Sequence, residues 1–372
     1  MSNFADESVT ATIMWNNRKK LRSLLRVATV AVGAVIAAAD GDACTSAIVG
    51  GEASANGRML LWKHRDSGHP HNYVARVDGG EGRLAFVGLF NAEDRAMREV
   101  WAGVNEAGFG VMNTASYNLA PDTAKVKDRE GLVMAEALAA CRTVGDFTKL
   151  LDGKLATGEP LGVQANFGAI DADGNGIYVE AYDHGYKVYD LRDEPAGVMV
   201  RSNYSYSGGD EGRLGEVRHD DAVELLKADV AARSVTPQSF TEGLSRSFYN
   251  AAEGKDMLAG GTRWIEDRGE MIPRRSSCAS VVIESGGGDE KPVMWVAIGF
   301  PVFSPTVKVT LDDVPVGLRP TGNDNHAPLC DEAVRKRDLA MPRKGKSGKW
   351  LFDRKMVMKL LREERGKNKT SK

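Results

Sequence analysis

The chain has 372 residues, 42% of them hydrophobic, enough to bury a core in one large domain or two modest ones. Its 49 Lys+Arg against 51 Asp+Glu leave a net charge of −2, which excludes a globally basic nucleic-acid binder. Four cysteines without a C-x-x-C pair exclude a disulfide scaffold, and six histidines without an H-E-x-x-H pattern give no zinc signature. No metal or cofactor is expected.

The first element is an export signal rather than a piece of fold. Arg18, Lys19, Lys20, Arg22 and Arg26 precede an apolar run from about Val27 to Ala39, too short to span a bilayer comfortably. Gly41 and Ala43 then stand three and one residues before Cys44, where a signal peptidase needs small side chains. This predicts a removable segment over residues 1–43, with translation starting in effect at Met14. The mature chain would be exported, to the periplasm or outside the cell, with no stable membrane insertion.

From 44 to about 310 the pattern is mostly strands with glycine turns. CTSAIVGG and RMLLWKHRD come first, then GRLAFVGLF, EVWAGVNEAGFGVMN, NFGAIDADGNGIYVEAYDHGYKVYD and PAGVMVRSNYS. Asp171–Gly176 looks like a calcium loop but lacks the twelfth-position Glu and the flanking helices, so a hairpin turn is expected. Helices are predicted at about 131–142, 219–232 and 236–248, the last with Thr236 as N-cap and Pro237 at the first helical position. SSCASVVIE and PVMWVAIGFP return to strand. Without regular strand–helix alternation the fold class is α+β, a sandwich rather than a parallel sheet. Residues 44–330 carry a net −12 and residues 331–372 a net +9, which reads as one acidic domain and a basic tail. Leu351, Met356, Met358, Leu360 and Leu361 give that tail a short amphipathic helix.

The chemistry starts from a position. A chain cut after Ala43 begins with Cys44, which then carries a thiol and a free α-amine about one residue apart. That amine has an ordinary pKa near 8, so it can take the thiol proton without a histidine. This is the chemistry of N-terminal nucleophile hydrolases. The alternative is a cysteine buried for packing.

The surrounding residues resemble the cysteine branch of that superfamily: the choloylglycine and penicillin V hydrolases and the isopenicillin N acyltransferase-like proteins. The resemblance covers roughly residues 44–305. Cys44-Thr45-Ser46 matches the opening of the mature family chain. Trp62-Lys63-His64-Arg65-Asp66 matches the second strand, with Asp66 in the place of the Asp that holds the α-amine and Lys63 where the family has Arg. Arg65 lies beside Asp66 as a second candidate cation, and the expectation is that the strand ends near His64 so that Arg65 and Asp66 both reach the amine and thiol. Val104–Gly110 resembles a family strand after which backbone N–H groups near Asn113 and Thr114 serve the oxyanion hole. Val200–Asn203 resembles the stretch ending in the oxyanion Asn, Arg218 an arginine that fixes the site, and Ser276-Ser277-Cys278 a Thr-Ser-Cys strand. The resemblance implies a four-layer αββα sandwich of two antiparallel sheets covered by helices.

Each residue also has a plainer reading. Asn105 and Glu106 suit a turn, Asn203 a capped turn, Arg218 a surface ion pair on a helix, and Cys278 a core position. His64 alternates with Lys63 and Arg65 and points away from them. Trp62, Tyr73, Phe86, Phe90 and Tyr117 line an apolar acyl pocket or belong to the core. The expected activity is hydrolysis of a linear N-acyl amide through an acyl-enzyme, on a small-molecule substrate and without nucleic acid. Acyl transfer by the same site and an inactive secreted binding protein are the alternatives. A homo-oligomer is compatible with the sequence.

Overall fold

The computed structural model describes residues 43–370 apart from 121–122, 126 and 288–289, so the predicted export segment lies outside the described residues except for Ala43. The first half supplies β1 (Ala43–Val49), β2 (Leu60–Asp66), β3 (Asn72–Val77), β4 (Phe86–Asn91), β5 (Ala102–Asn105) and β6 (Gly110–Ala115). Helices α1 (Glu130–Ala140) and α2 (Val144–Leu155) follow, then β7 (Ala165–Ile170), β8 (Gly176–Tyr182), β9 (Gly185–Asp190) and β10 (Val198–Arg201). After α3 (Glu216–Ala231) come β11 (Ser277–Glu284), β12 (Val293–Ile298), β13 (Val307–Val309), α4 (Pro328–Ala340) and α5 (Arg354–Thr370).

Two antiparallel sheets carry the fold. One has the order β10-β1-β2-β11-β12-β13 and the other runs β3 to β9 in sequence order. Strands β1 and β2 lie in the middle of the first sheet, and both are buried on both faces. That burial takes in polar side chains as well: Thr45 and Ser46 of β1 and Lys63, His64, Arg65 and Asp66 of β2 are all buried. Alternation still sorts their side chains. Ile48 and Leu61 join the core between the sheets. Ala47, Val49, Leu60 and Trp62 join a second core with Ala222 and Leu226 of α3. Helix α1 packs on β5 and β6, outside the second sheet. The layers are therefore helix, sheet, sheet, helix, as expected.

Local differences have local causes. Asp171 accepts from the backbone N–H groups of Asp173 and Asn175, making the predicted hairpin between β7 and β8. Residues 236–248 form one widened turn and a short 3₁₀ turn instead of a regular helix, although Thr236 does cap Ser239. The body also continues past residue 330. Helix α4 spans that boundary, and Val357, Leu360 and Leu361 of α5 pack with Phe300 and Phe352 in a third core. Among the described residues no helix is long and apolar enough to cross a membrane.

Candidate active site

Cys44 pairs directly with Arg65 across β1 and β2, and Ser46 with Lys63. Facing residues of a pair share a sheet face, so Cys44, Lys63 and Arg65 all look toward the second sheet. They line one cavity of about 310 Å³ with Asn113, Trp101 and Gln164. Cys44 itself is 4% exposed.

Two side chains, Asn203 just after β10 and Arg218 of α3, converge on the Cys44 backbone. Its N–H, with Ala43 still attached, donates to Asn203 Oδ1 at 2.9 Å. The Arg218 guanidinium donates to the Cys44 carbonyl at 2.7 Å, to Thr45 Oγ1 at 3.0 Å and to Asn203 Oδ1 at 2.7 Å. Arg218 is therefore not a surface ion-pair residue. It sits in the first turn of α3 and is fully buried, and burial together with repulsion from Arg274 pulls it down to about 9. Gly215 lets it in: at φ 82° it adopts a left-handed turn, and a Cβ there would meet Arg218 Nη2 at 2.3 Å. Asn203 donates through Nδ2 to the Ala115 carbonyl at 2.9 Å, which ties the β10 end to the β6 end.

The strand does not end at His64. β2 continues through Asp66, which pairs with Ala43 on one side and Ser277 on the other, and the irregularity falls opposite, at Cys278 of β11. Arg65 and Asp66 consequently project to opposite faces. The Asp66 carboxylate accepts from Ser277 Oγ at 2.6 Å and from Arg274 at 3.0 Å, while its backbone carbonyl is 4.0 Å from the Cys44 thiol. With Ala43 attached, the Cys44 N–H is held by Asn203 Oδ1, while the Asp66 carboxylate is engaged by Ser277 and Arg274. Arg65 lies over the Trp101 ring at 4.6 Å and donates to Asn72 Oδ1 at 2.6 Å. Lys63 donates to Asn113 Oδ1 at 2.7 Å and to the Trp101 carbonyl at 2.9 Å. That leaves the Asn113 amide nitrogen to carry its donors on the cavity side. Thr114 is buried and its hydroxyl turns to the Ser202 carbonyl at 2.7 Å.

Behind the site runs a buried polar chain that the sequence reading did not assemble. His64 Nδ1 meets Ser245 Oγ at 3.0 Å and Nε2 meets Ser277 Oγ at 2.9 Å, leading to Asp66. Burial is the main reason that His64 is pushed down to about 4. Arg274 was missed as well. Burial pulls it down, but the charge and hydrogen bond of Asp66 outweigh that and hold it up. Its only sequence signal was the Arg274-Arg275 pair just before Ser276-Ser277-Cys278. A Cys44 thiolate would raise both Arg218 and Arg274, and by reciprocity both cations favour the thiolate.

The plainer readings hold elsewhere. Asn105 is a turn residue whose Oδ1 accepts from Ala107 and Phe109 N–H. Cys278 is a core residue. Trp62, Tyr73, Phe86 and Phe90 are also core, and of that group Tyr117 alone lines the cavity.

No protein-family model and no curated protein matches the chain. Among solved structures it is similar to an N-acylethanolamine-hydrolyzing acid amidase ortholog from Caenorhabditis elegans, at 15% identity and TM-score 0.43, covering 66% of this chain and 95% of that one. It is also similar to the conjugated bile acid hydrolase of Clostridium perfringens, at 12% identity and TM-score 0.43, covering 73% and 94%. A third is penicillin V acylase from Agrobacterium tumefaciens, at 13% identity and TM-score 0.39, covering 73% and 87%.

Proposed function

We propose that this protein is an exported N-terminal nucleophile hydrolase that cleaves a linear amide through Cys44. The observation that carries the reading is the clamp on Cys44: its nitrogen on Asn203, its carbonyl on a fully buried Arg218, and its side chain on the wall of a cavity. Removal of residues 1–43 turns that nitrogen into an α-amine. The amine takes the thiol proton, and the thiolate attacks the amide carbonyl to form a C–S bond. Asn113 on the cavity wall and Asn203 beside the Cys44 nitrogen are the side-chain amides assigned to the oxyanion; each such donor is typically worth about 3 kcal/mol. The C–N bond breaks as the α-ammonium protonates the leaving amine. Water then hydrolyses the thioester, releases the acid and restores the thiol.

The cavity favours a small, polar amide. Asp128, Glu130 and Gln164 line it beside Lys63 and Asn113. The Trp101 ring adds an apolar wall, with the Arg65 guanidinium over it at 4.6 Å. The test uses the mature protein. N-terminal sequencing should return Cys44, and iodoacetamide should label Cys44 well before Cys141, Cys278 or Cys330. Burial pushes the Cys141 and Cys330 thiols up to about 12, so the contrast should be large. Equal labelling of all four would leave an inactive binding protein as the better reading, and an active enzyme that retains Ala43 would sink the mechanism. Adding an amine acceptor and analysing products separates hydrolysis from acyl transfer.

A further inference from the structure

The basic C-terminal region has no role in the chemistry above. Residues 339–352 hold Arg343, Lys344, Lys346 and Lys349 and no Asp or Glu. They lie beyond residues 44–305, so the resemblance that guided the active site does not reach them.

The structure displays these cations on a fixed hairpin rather than on a loose tail. The strand Arg343–Lys344 pairs with Trp350–Asp353, which pairs in turn with Trp264–Glu266. Ile265 and Phe352 face each other across that sheet and are buried in the third core, which roots the hairpin in the body. The turn is closed by Gly345 N–H on the Lys349 carbonyl at 2.7 Å and by Gly348 N–H on the Gly345 carbonyl at 3.0 Å. Gly348 sits at φ 79°, a conformation that favours glycine. All four cationic side chains are exposed.

Elsewhere on the surface Arg192, Arg213, Lys291 and Arg335 each lie against a carboxylate. Among the described residues Arg343, Lys344, Lys346 and Lys349 form no ion pair. The acids near them are engaged by other cations: Asp353 by Arg263 at 2.8 Å, Glu266 by Arg268 at 3.9 Å and Asp338 by Arg275 at 2.7 Å. Four like charges held on one short hairpin repel one another, and an external anionic surface relieves that cost. Two half-buried indoles are interleaved with the cations. The Trp264 ring lies 4.4 Å from the Arg343 guanidinium and 4.7 Å from that of Arg263. The Trp350 ring lies 5.5 Å from Lys344 Nζ and 4.1 Å from the Arg275 guanidinium.

We propose that this hairpin is a docking surface for an anionic phospholipid bilayer, on which the protein adsorbs without inserting. Tryptophan beside Lys and Arg is the composition that settles at headgroup level. Four cations spread along a turn match many separate headgroup charges better than one small anion. The charge of the chain also orients the approach. Residues 331–372 carry a net +9 and residues 44–330 a net −12, so a negative surface attracts the hairpin and repels most of the remaining body.

The test uses the mature protein with vesicles of phosphatidylcholine alone or with about 30% phosphatidylglycerol. It reads binding and needs no turnover, so it stands whether or not Cys44 is active. Sedimentation should carry the protein down with the anionic vesicles and not with the neutral ones, and about 0.5 M salt should release it. Lys344→Gln, Lys346→Gln and Lys349→Gln together should weaken binding by about 100-fold, since each cation near a charged leaflet contributes about fivefold. The melting temperature should stay at the parent value. The same loss of charge at Lys149, Lys227 and Lys291, each already paired with a carboxylate, should leave binding close to the parent's. Equal pelleting with neutral vesicles overturns the proposal, and so does parent-like binding in the hairpin variant or an equal loss in the other one. Inorganic polyphosphate separates a bilayer from a soluble polyanion: if it strips the protein from vesicles at matched phosphate concentration, the choice of a membrane is wrong. If the triple variant does not fold, Lys346→Gln with Lys349→Gln, both within the turn, decides the matter by the same criterion.

Discussion

His64 gives the sharpest test of the electrostatics behind the site. Its ring is fully buried between Ser245 and Ser277, with Asp66 3.8 Å away and Arg274 and Arg218 as the other charges felt there. The hydrogen bonds ask for two donors. Ser245 donates to Ser280 and Ser277 donates to Asp66, so each serine presents an acceptor to the imidazole. Burial asks for the neutral form and wins, since the pKa falls from 6.5 to about 4. A group with a depressed folded pKa stabilises the native state above its unfolded pKa and loses that contribution as pH falls through the folded value. The window is therefore pH 6.5 down to pH 4, and linkage gives a loss of about 2 kcal/mol by pH 5 and about 3 kcal/mol by pH 4. Buried Asp221 runs the other way: desolvation lifts it to about 7, so it destabilises the fold as pH rises from 3.8. The wild-type profile alone mixes the two groups. The difference between wild type and His64→Gln isolates the histidine, because glutamine does not titrate. Urea unfolding between pH 7 and pH 4.5 should show the advantage of wild type over His64→Gln shrinking as the solution is acidified. A flat difference refutes the reasoning. A difference that grows toward acid would mean an imidazolium paired with Asp66, donating to both serines.

Two further perturbations test the scaffold. Gly215→Ala puts a Cβ against Arg218 Nη2 at a left-handed φ, so it should lower stability by about 1–2 kcal/mol and reduce turnover, read by melting temperature and initial rate. Glu180 accepts from Arg201, from Tyr206 and Ser207 N–H and from the Ser207 hydroxyl. Glu180→Gln leaves the buried Arg201 uncompensated and should cost about 3–5 kcal/mol in urea unfolding.

What the sequence could show depended on how local each signal was. Cys44 stands out because its place behind small residues is a one-dimensional fact. Arg218 was visible as a residue, but an arginine before a helix reads equally as solvent-exposed. Its burial depends on Cys44, 174 positions away. Arg274 was missed for the same reason, since Asp66 lies 208 positions off. Helix α2 was legible and overlooked: Thr143 and Asp146 form a reciprocal capping box, a spacing that marks a helix start. The expected boundary at 330 followed charge, and charge is not burial. Lys336 of α4 and Glu364 of α5 are buried and paired with each other.

The last question is which cavity-side cation, beyond the buried Arg218 and Arg274, tunes the thiol. Both candidates lie on the cavity side, but their registers differ. Arg65 is directly opposite Cys44, whereas Lys63 is opposite Ser46 and reaches Cys44 only diagonally. Each head group is also anchored, Arg65 by Asn72 and the Trp101 ring, Lys63 by Asn113 and the Trp101 carbonyl. Neither side chain can swing far to replace the other. Two unit charges about 7 Å apart in an effective dielectric of about 20 interact by about 2 kcal/mol, and partial screening leaves roughly one pH unit on the thiol. Arg65→Ala should therefore move the rise of Cys44 alkylation to higher pH by about one unit, and Lys63→Ala should move it less. Lys63→Ala should act mainly on turnover, by releasing the Asn113 amide it orients. The alkylation rate against pH, measured on mature protein, decides between them. A larger shift for Lys63→Ala would make lysine the stronger of the two cavity-side cations and leave Arg65 a wall residue held by Asn72.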